Sequence, residues 1–221
     1  MLELEKDTLI HFKNFGAFNE FYQSLNLYHD WQIQTGTMNE RGIQIANKNY
    51  GKKLKKLFAD RLMFRRALSI AELTSFMDNF FFVSRLAKVL KEKLSEEQFN
   101  EIEIFKEYKI LMSKNRRIDY LFKYKKAILA IEFRLSSDFP NTSGLWQKKE
   151  LELIIYKELL RNYIPEDYTI RVYAFVGMPE YRQKVPIDKH LKYNQENIEY
   201  FAQYIQYFLV QDQDNRSKYL Q

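Results

Sequence analysis

A mixed α/β fold, with a central sheet flanked by helices (α/β or α+β), is the class this sequence predicts, and three observations carry it. An apolar helical stretch runs from about Ile70 to Leu94 and precedes three strand-like runs: Glu103 to Met112, Arg116 to Phe122 and Ala127 to Arg134. A second helix, from about Leu145 to Asn162, leads into a strand from Tyr168 to Gly177. Two neighbouring strands each place one acid, Asp119 or Glu132, among apolar residues.

The last strand shows the clearest period. Ile170, Val172, Ala174 and Val176 alternate with Arg171, Tyr173 and Phe175, and Gly177 and Pro179 mark its end. The acid-bearing runs form an antiparallel hairpin if the chain turns at Lys123-Tyr124-Lys125-Lys126. Asp119 and Glu132 are 132 − 119 = 13 residues apart, so that hairpin brings both acids to one place on the sheet. A carboxylate among apolar neighbours is costly unless a cation restores what its hydration supplied. A metal ion is one such cation, and an ion pair with Arg117, Arg134 or a nearby lysine is the structural alternative. Arg134 follows Glu132 by two residues, on the same strand face.

Ile118-Asp119 on one strand and Glu132-Phe133-Arg134 on the next resemble the PD-(D/E)XK nuclease superfamily, over roughly residues 70 to 177. The resemblance implies a restriction-endonuclease-like core, running helix, three strands, helix, strand. It further implies that Asp119, Glu132 and the Phe133 carbonyl bind Mg²⁺ or Mn²⁺ and that the chain hydrolyses phosphodiester bonds, with DNA favoured over RNA and a defence or mobile-element setting. Two departures stand out: Ile118 replaces the usual Pro, and Arg134 replaces the usual Lys. Arginine stays protonated and cannot accept a proton from water, although its fork suits phosphate oxygens. Lys148 or Lys149, expected in the first turn of the following helix, is the candidate substitute ammonium. Gln147 resembles the polar residue some members place there, and Asp78 or Glu72 the acid others supply from the first helix. A catalytically inactive module on the same fold, binding nucleic acid, and an interaction subunit of a larger complex are the other functions in play.

Composition is compatible with these readings. The chain has 221 residues, 46% of them hydrophobic, enough for a sizeable core without disulfides. A net charge of +6 favours polyanionic partners without identifying one. With no cysteine, thiolate zinc sites, disulfides and a cysteine nucleophile are excluded. No Gly-rich phosphate loop, serine elbow or dinucleotide fingerprint occurs, and His11, His29 and His190 lack a catalytic spacing. The start lacks a secretory pattern and no apolar run spans a bilayer, so a cytoplasmic protein without membrane contact is expected.

A boundary is expected near residue 70, with a mainly helical N-terminal segment at 1–69 and the nuclease-like core with its C-terminal helix at 70–221. The first segment holds the densest basic run: Lys48, Lys52, Lys53, Lys55, Lys56, Arg61, Arg65 and Arg66. On a helix Leu54, Leu57, Phe58 and Leu62 form an apolar stripe and leave most of these cations outward, to grip a phosphate backbone or simply to be solvated. In the helix after the motif, Leu151, Ile154, Ile155 and Leu159 are expected to pack on the sheet. Between Asn194 and Val210, Ile198, Phe201, Ala202, Ile205 and Leu209 form a core stripe. Tyr200, Tyr204 and Tyr207 form a second stripe, for packing, for stacked bases, or for a homodimer or partner protein. The tail after Asp212 reads as solvated.

Overall fold

In a computed structural model, residues 4, 8–25, 42–43, 45–46, 51–52, 56, 69–110, 116–135, 142–177 and 195–219 are described. Five strands form one sheet in the order β1 (Ile10–Phe12), β2 (Glu103–Lys109), β3 (Arg117–Tyr124), β4 (Ala127–Leu135) and β5 (Thr169–Gly177). Neighbours are antiparallel except β4 and β5, which run parallel. Parallel neighbours need a crossover, and α4 (Thr142–Arg161) supplies it. The expected mixed sheet with flanking helices is therefore present.

One face of the sheet carries α1 (Phe15–Ser24), α2 (Ile70–Lys93) and α5 (Gln195–Tyr204) with the π-helical turn Ile205–Gln211 that continues it. Ile104, Tyr120, Phe122, Leu129, Ile131 and Phe175 point into this core. The opposite face packs on α4 through Phe105, Leu121, Ile128, Ala130 and Ala174. The expected alternation of β5 follows: Tyr173 and Phe175 meet the first core, Ile170, Val172 and Ala174 the second.

Local chemistry sets the helix starts. Ser69 and Glu72 form a capping box on α2, and Ser95 and Gln98 form one on the short α3 (Glu96–Glu101). Asn14 caps α1 by accepting the Ala17 N–H at 2.8 Å. β1 had no expectation in the sequence, and His11 in it stacks on Phe105 and reaches Glu103 at 3.0 Å. Residues on both sides of position 70, from Ile10 and Phe18 to Phe80 and Phe82, share the first core.

Two elements differ from expectation. In α4 three of the four residues expected on the sheet, Leu151 (63%), Ile154 (54%) and Ile155 (45%), are exposed, whereas Leu153, Tyr156 and Leu160 are buried. The stripe facing the sheet is Lys149, Leu153, Tyr156 and Leu160, at steps of four, three and four; Leu159 packs only at its edge. The tail after Asp212 belongs to a helix, α6 (Asp212–Tyr219), in which Gln213 is buried and Asn215 and Arg216 are exposed, so it is solvated only in part. Asp214 anchors it: its carboxylate accepts from Gln98 Nε2 (2.9 Å), Tyr124 Oη (2.8 Å) and Lys125 Nζ (2.7 Å).

Lys125 and Lys126 make a two-residue turn between Tyr124 and Ala127, with Lys125 left-handed at φ 50°. That conformation is uncommon for a residue with a Cβ, and the Lys125–Asp214 contact secures it. Burial opposes the charge of Asp214, but its three donors hold the carboxyl below the ordinary range. Asp214→Ala is expected to lower unfolding free energy by about 2 kcal/mol at pH 7, measured by urea denaturation. A change below about 0.5 kcal/mol, the size of an ordinary surface exchange, would contradict this anchoring role.

Candidate active site at the β3–β4 fork

The β3–β4 ladder ends at Tyr120 opposite Ile131. At the next position side chains take over the backbone groups. Asp119 Oδ2 accepts the Phe133 N–H at 2.8 Å, and Glu132 Oε1 accepts the Asp119 N–H at 3.3 Å. The two acids thus meet where the strands part, as the 13-residue spacing predicts.

Glu132 faces α4, since its neighbours Ala130 and Ala174 belong to that core. Its second oxygen, Oε2, accepts from Lys149 Nζ at 2.7 Å, and the same ammonium lies 2.7 Å from Glu152. Because α4 begins at Thr142, Lys149 lies two turns into the helix rather than in its first turn. Its neighbours Gln147 and Lys148 are exposed. Of the two lysines considered from the sequence, the structure brings Lys149 to the acids and leaves Lys148 in solvent.

Burial is the main influence on Glu132 and pushes its carboxyl up to about 8; Asp119 adds to this, while Lys149 opposes it. Burial works against the Lys149 charge, but Glu132 and Glu152 together raise its pKa, so it remains an ammonium.

The remaining sequence candidates divide between residues placed away from the acids and residues outside the described ones. Arg134 lies in β4 with its backbone opposite Val176, but its side chain lies outside the described residues. Glu72 spends its carboxylate on the Ser69 N–H (2.8 Å) and hydroxyl (2.9 Å), as a helix cap. Asp78 is buried within α2. In the basic run Lys52 and Lys56 are helical and exposed, while Lys48, Lys53, Lys55, Arg61, Arg65 and Arg66 lie outside the described residues. Of the tyrosine stripe, Tyr200 and Tyr207 are exposed, whereas Tyr204 packs on Tyr173 and donates to the Val172 carbonyl at 3.3 Å.

A third acid escaped the sequence reading. Glu107 in β2 has φ 55°, a left-handed conformation rare for any residue with a Cβ inside a strand. The register runs Lys106 opposite Tyr120 and Tyr108 opposite Ile118, which leaves Glu107 and Asp119 facing each other with no bridge between them. Phe105 and Tyr108 enter the same core although three residues apart, as do Ile118 and Leu121. Regular strands place such residues on opposite faces, so both strands turn over at Glu107 and Asp119. The sequence signal is the adjacent charged pair Lys106-Glu107 between Phe105 and Tyr108, which breaks the strand's alternation.

The donors at the fork are hard carboxylate oxygens, which suit Mg²⁺ or Mn²⁺ better than a soft ion. Among the described residues no group of three or more His, Asp or Glu stands close enough to form a ready-made cage. The fit is therefore to an ion held by two carboxylates with water completing its shell, as Mg²⁺ commonly is. No helix among the described residues is long and apolar enough to cross a membrane. No protein-family model matches this chain, and neither a curated protein nor a solved structure matches it.

Proposed function

We propose that this chain is a metal-dependent nuclease with a restriction-endonuclease-like core, hydrolysing phosphodiester bonds of nucleic acid, DNA before RNA. The observation that carries the proposal is the convergence of Asp119, Glu132 and Lys149 at the place where β3 and β4 part. Asp119, Glu132 and the Phe133 carbonyl would hold Mg²⁺ or Mn²⁺. When bound, such an ion lowers the pKa of its water and neutralises charge on a phosphate.

The chain's own residues divide the remaining work. The Phe133 N–H fixes the Asp119 carboxylate, and the Asp119 N–H fixes that of Glu132, so both acids are oriented by backbone rather than by solvent. Lys149 balances the buried Glu132 charge and presents an ammonium beside the acids. It is a donor to phosphate or water, and its raised pKa disqualifies it as a base. Lys52 and Lys56 offer exposed cations for a phosphate backbone. A noncatalytic nucleic-acid-binding module has one observation on its side: both carboxylates already accept bonds from within the chain.

The test is a panel of end-labelled single- and double-stranded DNA and RNA, each incubated with Mg²⁺, Mn²⁺ or EDTA, with binding followed in parallel from low to moderate salt. Cleavage with either metal and none with EDTA is expected. Salt-sensitive binding without cleavage of any substrate would replace the nuclease by the binding module.

A further inference from the structure

We propose that Glu107 is a third acid of this site, one that leaves Lys106 and turns to a cation held by Asp119. The inference rests on the metal-dependent reading above and adds to it a residue on a different strand. Four observations carry it.

Glu107 occupies a strained backbone conformation in the middle of a strand, and such strain gathers at functional positions. Its register position is directly across from Asp119, at the crease where both strands turn over. Its side chain is mostly buried, 12% exposed, so its carboxylate needs a cation beside it. Last, the Tyr120 hydroxyl, on the ring that lies under the Lys106 ammonium, is fully buried without a hydrogen-bond partner among the described residues. An unpartnered buried hydroxyl within the field of two carboxylates marks a place where a polar ligand or its water belongs.

Lys106 supplies the charge that a cation would bring to Glu107. Its side chain is wholly buried, and its ammonium lies 2.7 Å from Glu107 and over the rings of Phe76 (4.6 Å) and Tyr120 (4.7 Å). A lysine that compensates a carboxylate in this way competes with an ion for the same charge. Removing the lysine should therefore tighten metal binding, whereas removing the acid should weaken it. A purely structural ion pair predicts neither shift.

Mn²⁺ binding is measured on the full chain by electron paramagnetic resonance of the free ion at one pH, with circular dichroism to confirm folding. Glu107→Gly keeps access to the left-handed backbone while removing the carboxylate; Lys106→Met keeps length and apolar packing while removing the charge; Asp119→Asn reports on the parent site. Glu107→Gly is expected to weaken Mn²⁺ binding at least about tenfold, in the range known for outer-shell partners of metal ligands, and Lys106→Met to tighten it. If Asp119→Asn abolishes binding while Glu107→Gly and Lys106→Met both bind as wild type, Glu107 is structural and only this inference falls. If wild type itself binds no Mn²⁺, both readings fall. Should Glu107→Gly fail to fold, Lys106→Met alone decides.

Discussion

Exchange of Lys149 for methionine is expected to lower stability by about 3 kcal/mol above pH 8, and by much less near pH 5. The lysine is the ammonium beside Glu132, a carboxyl that is almost wholly buried. Removing one partner of a buried pair leaves the other charge without compensation. Glu132 can escape that penalty by keeping its proton, and burial already pushes its carboxyl up to about 8. The sign follows from linkage. A carboxyl whose folded pKa is raised holds a proton that the unfolded chain releases, so its contribution is fully present below the unfolded value and is lost as pH rises through the folded one. The slope is at most about 1.4 kcal/mol per pH unit. Urea denaturation of wild type and Lys149→Met in EDTA at pH 5, 6.5 and 8.5 measures both effects. The double variant Lys149→Met/Glu132→Gln, with neither charge, should recover most of the loss at pH 8.5. A pH-independent loss, or none, would mean that the pair does not act as drawn.

Asp119→Asn and Glu132→Gln are each expected to reduce metal-dependent cleavage by about 10³-fold, because a metal ion supplies several kcal/mol of transition-state stabilisation and each 1.4 kcal/mol is one decade in rate. Both exchanges keep an amide oxygen where the carboxylate oxygen stood. An asparagine in place of Asp119 can still accept the Phe133 N–H, and a glutamine in place of Glu132 can still accept the backbone N–H of position 119. The Asp119 exchange therefore preserves the fork and removes only charge, whereas the Glu132 exchange also turns an amide NH2 toward Lys149 and leaves that ammonium to Glu152, so circular dichroism of the variant separates loss of chemistry from loss of fold. Equal cleavage by wild type and either variant would remove that acid from the site.

Much of this site is legible in the sequence because its parts are local. The turn expected at Lys123-Tyr124-Lys125-Lys126, which the structure narrows to Lys125-Lys126, and the spacing of Asp119 and Glu132 place both acids without any tertiary information, and β5 declares its two faces by strict alternation. α4 is harder. Its sequence offers two apolar stripes, one through Leu151, Ile154 and Ile155 and one through Leu153, Tyr156 and Leu160, and periodicity alone does not rank them. The second stripe continues N-terminally into Lys149, so the lysine that meets Glu132 becomes identifiable only once the buried face is known.

Glu107 is hidden for a different reason. Its role depends on a left-handed backbone and on which strand lies opposite, and the one trace in the residue types is the charged pair Lys106-Glu107, which marks a break in alternation without saying which strand faces it. The same holds for α6: Asp212, Gln213 and Asp214 read as a polar tail. What orders them is a set of partners distant in sequence, at Gln98, Tyr124 and Arg171. Exposed Leu151, Ile154 and Ile155 show the converse, an apolar periodicity that does not report burial.

The most direct test of the central claim is the cleavage rate of wild type and Asp119→Asn on one labelled DNA substrate, in Mg²⁺, then after excess EDTA, then after Mg²⁺ is restored. A hydrolytic site at the β3–β4 fork predicts cleavage by wild type that stops with EDTA and returns with the metal, and a loss of about 10³-fold in the folded variant. Cleavage that persists in EDTA, or that Asp119→Asn retains in full, would contradict it.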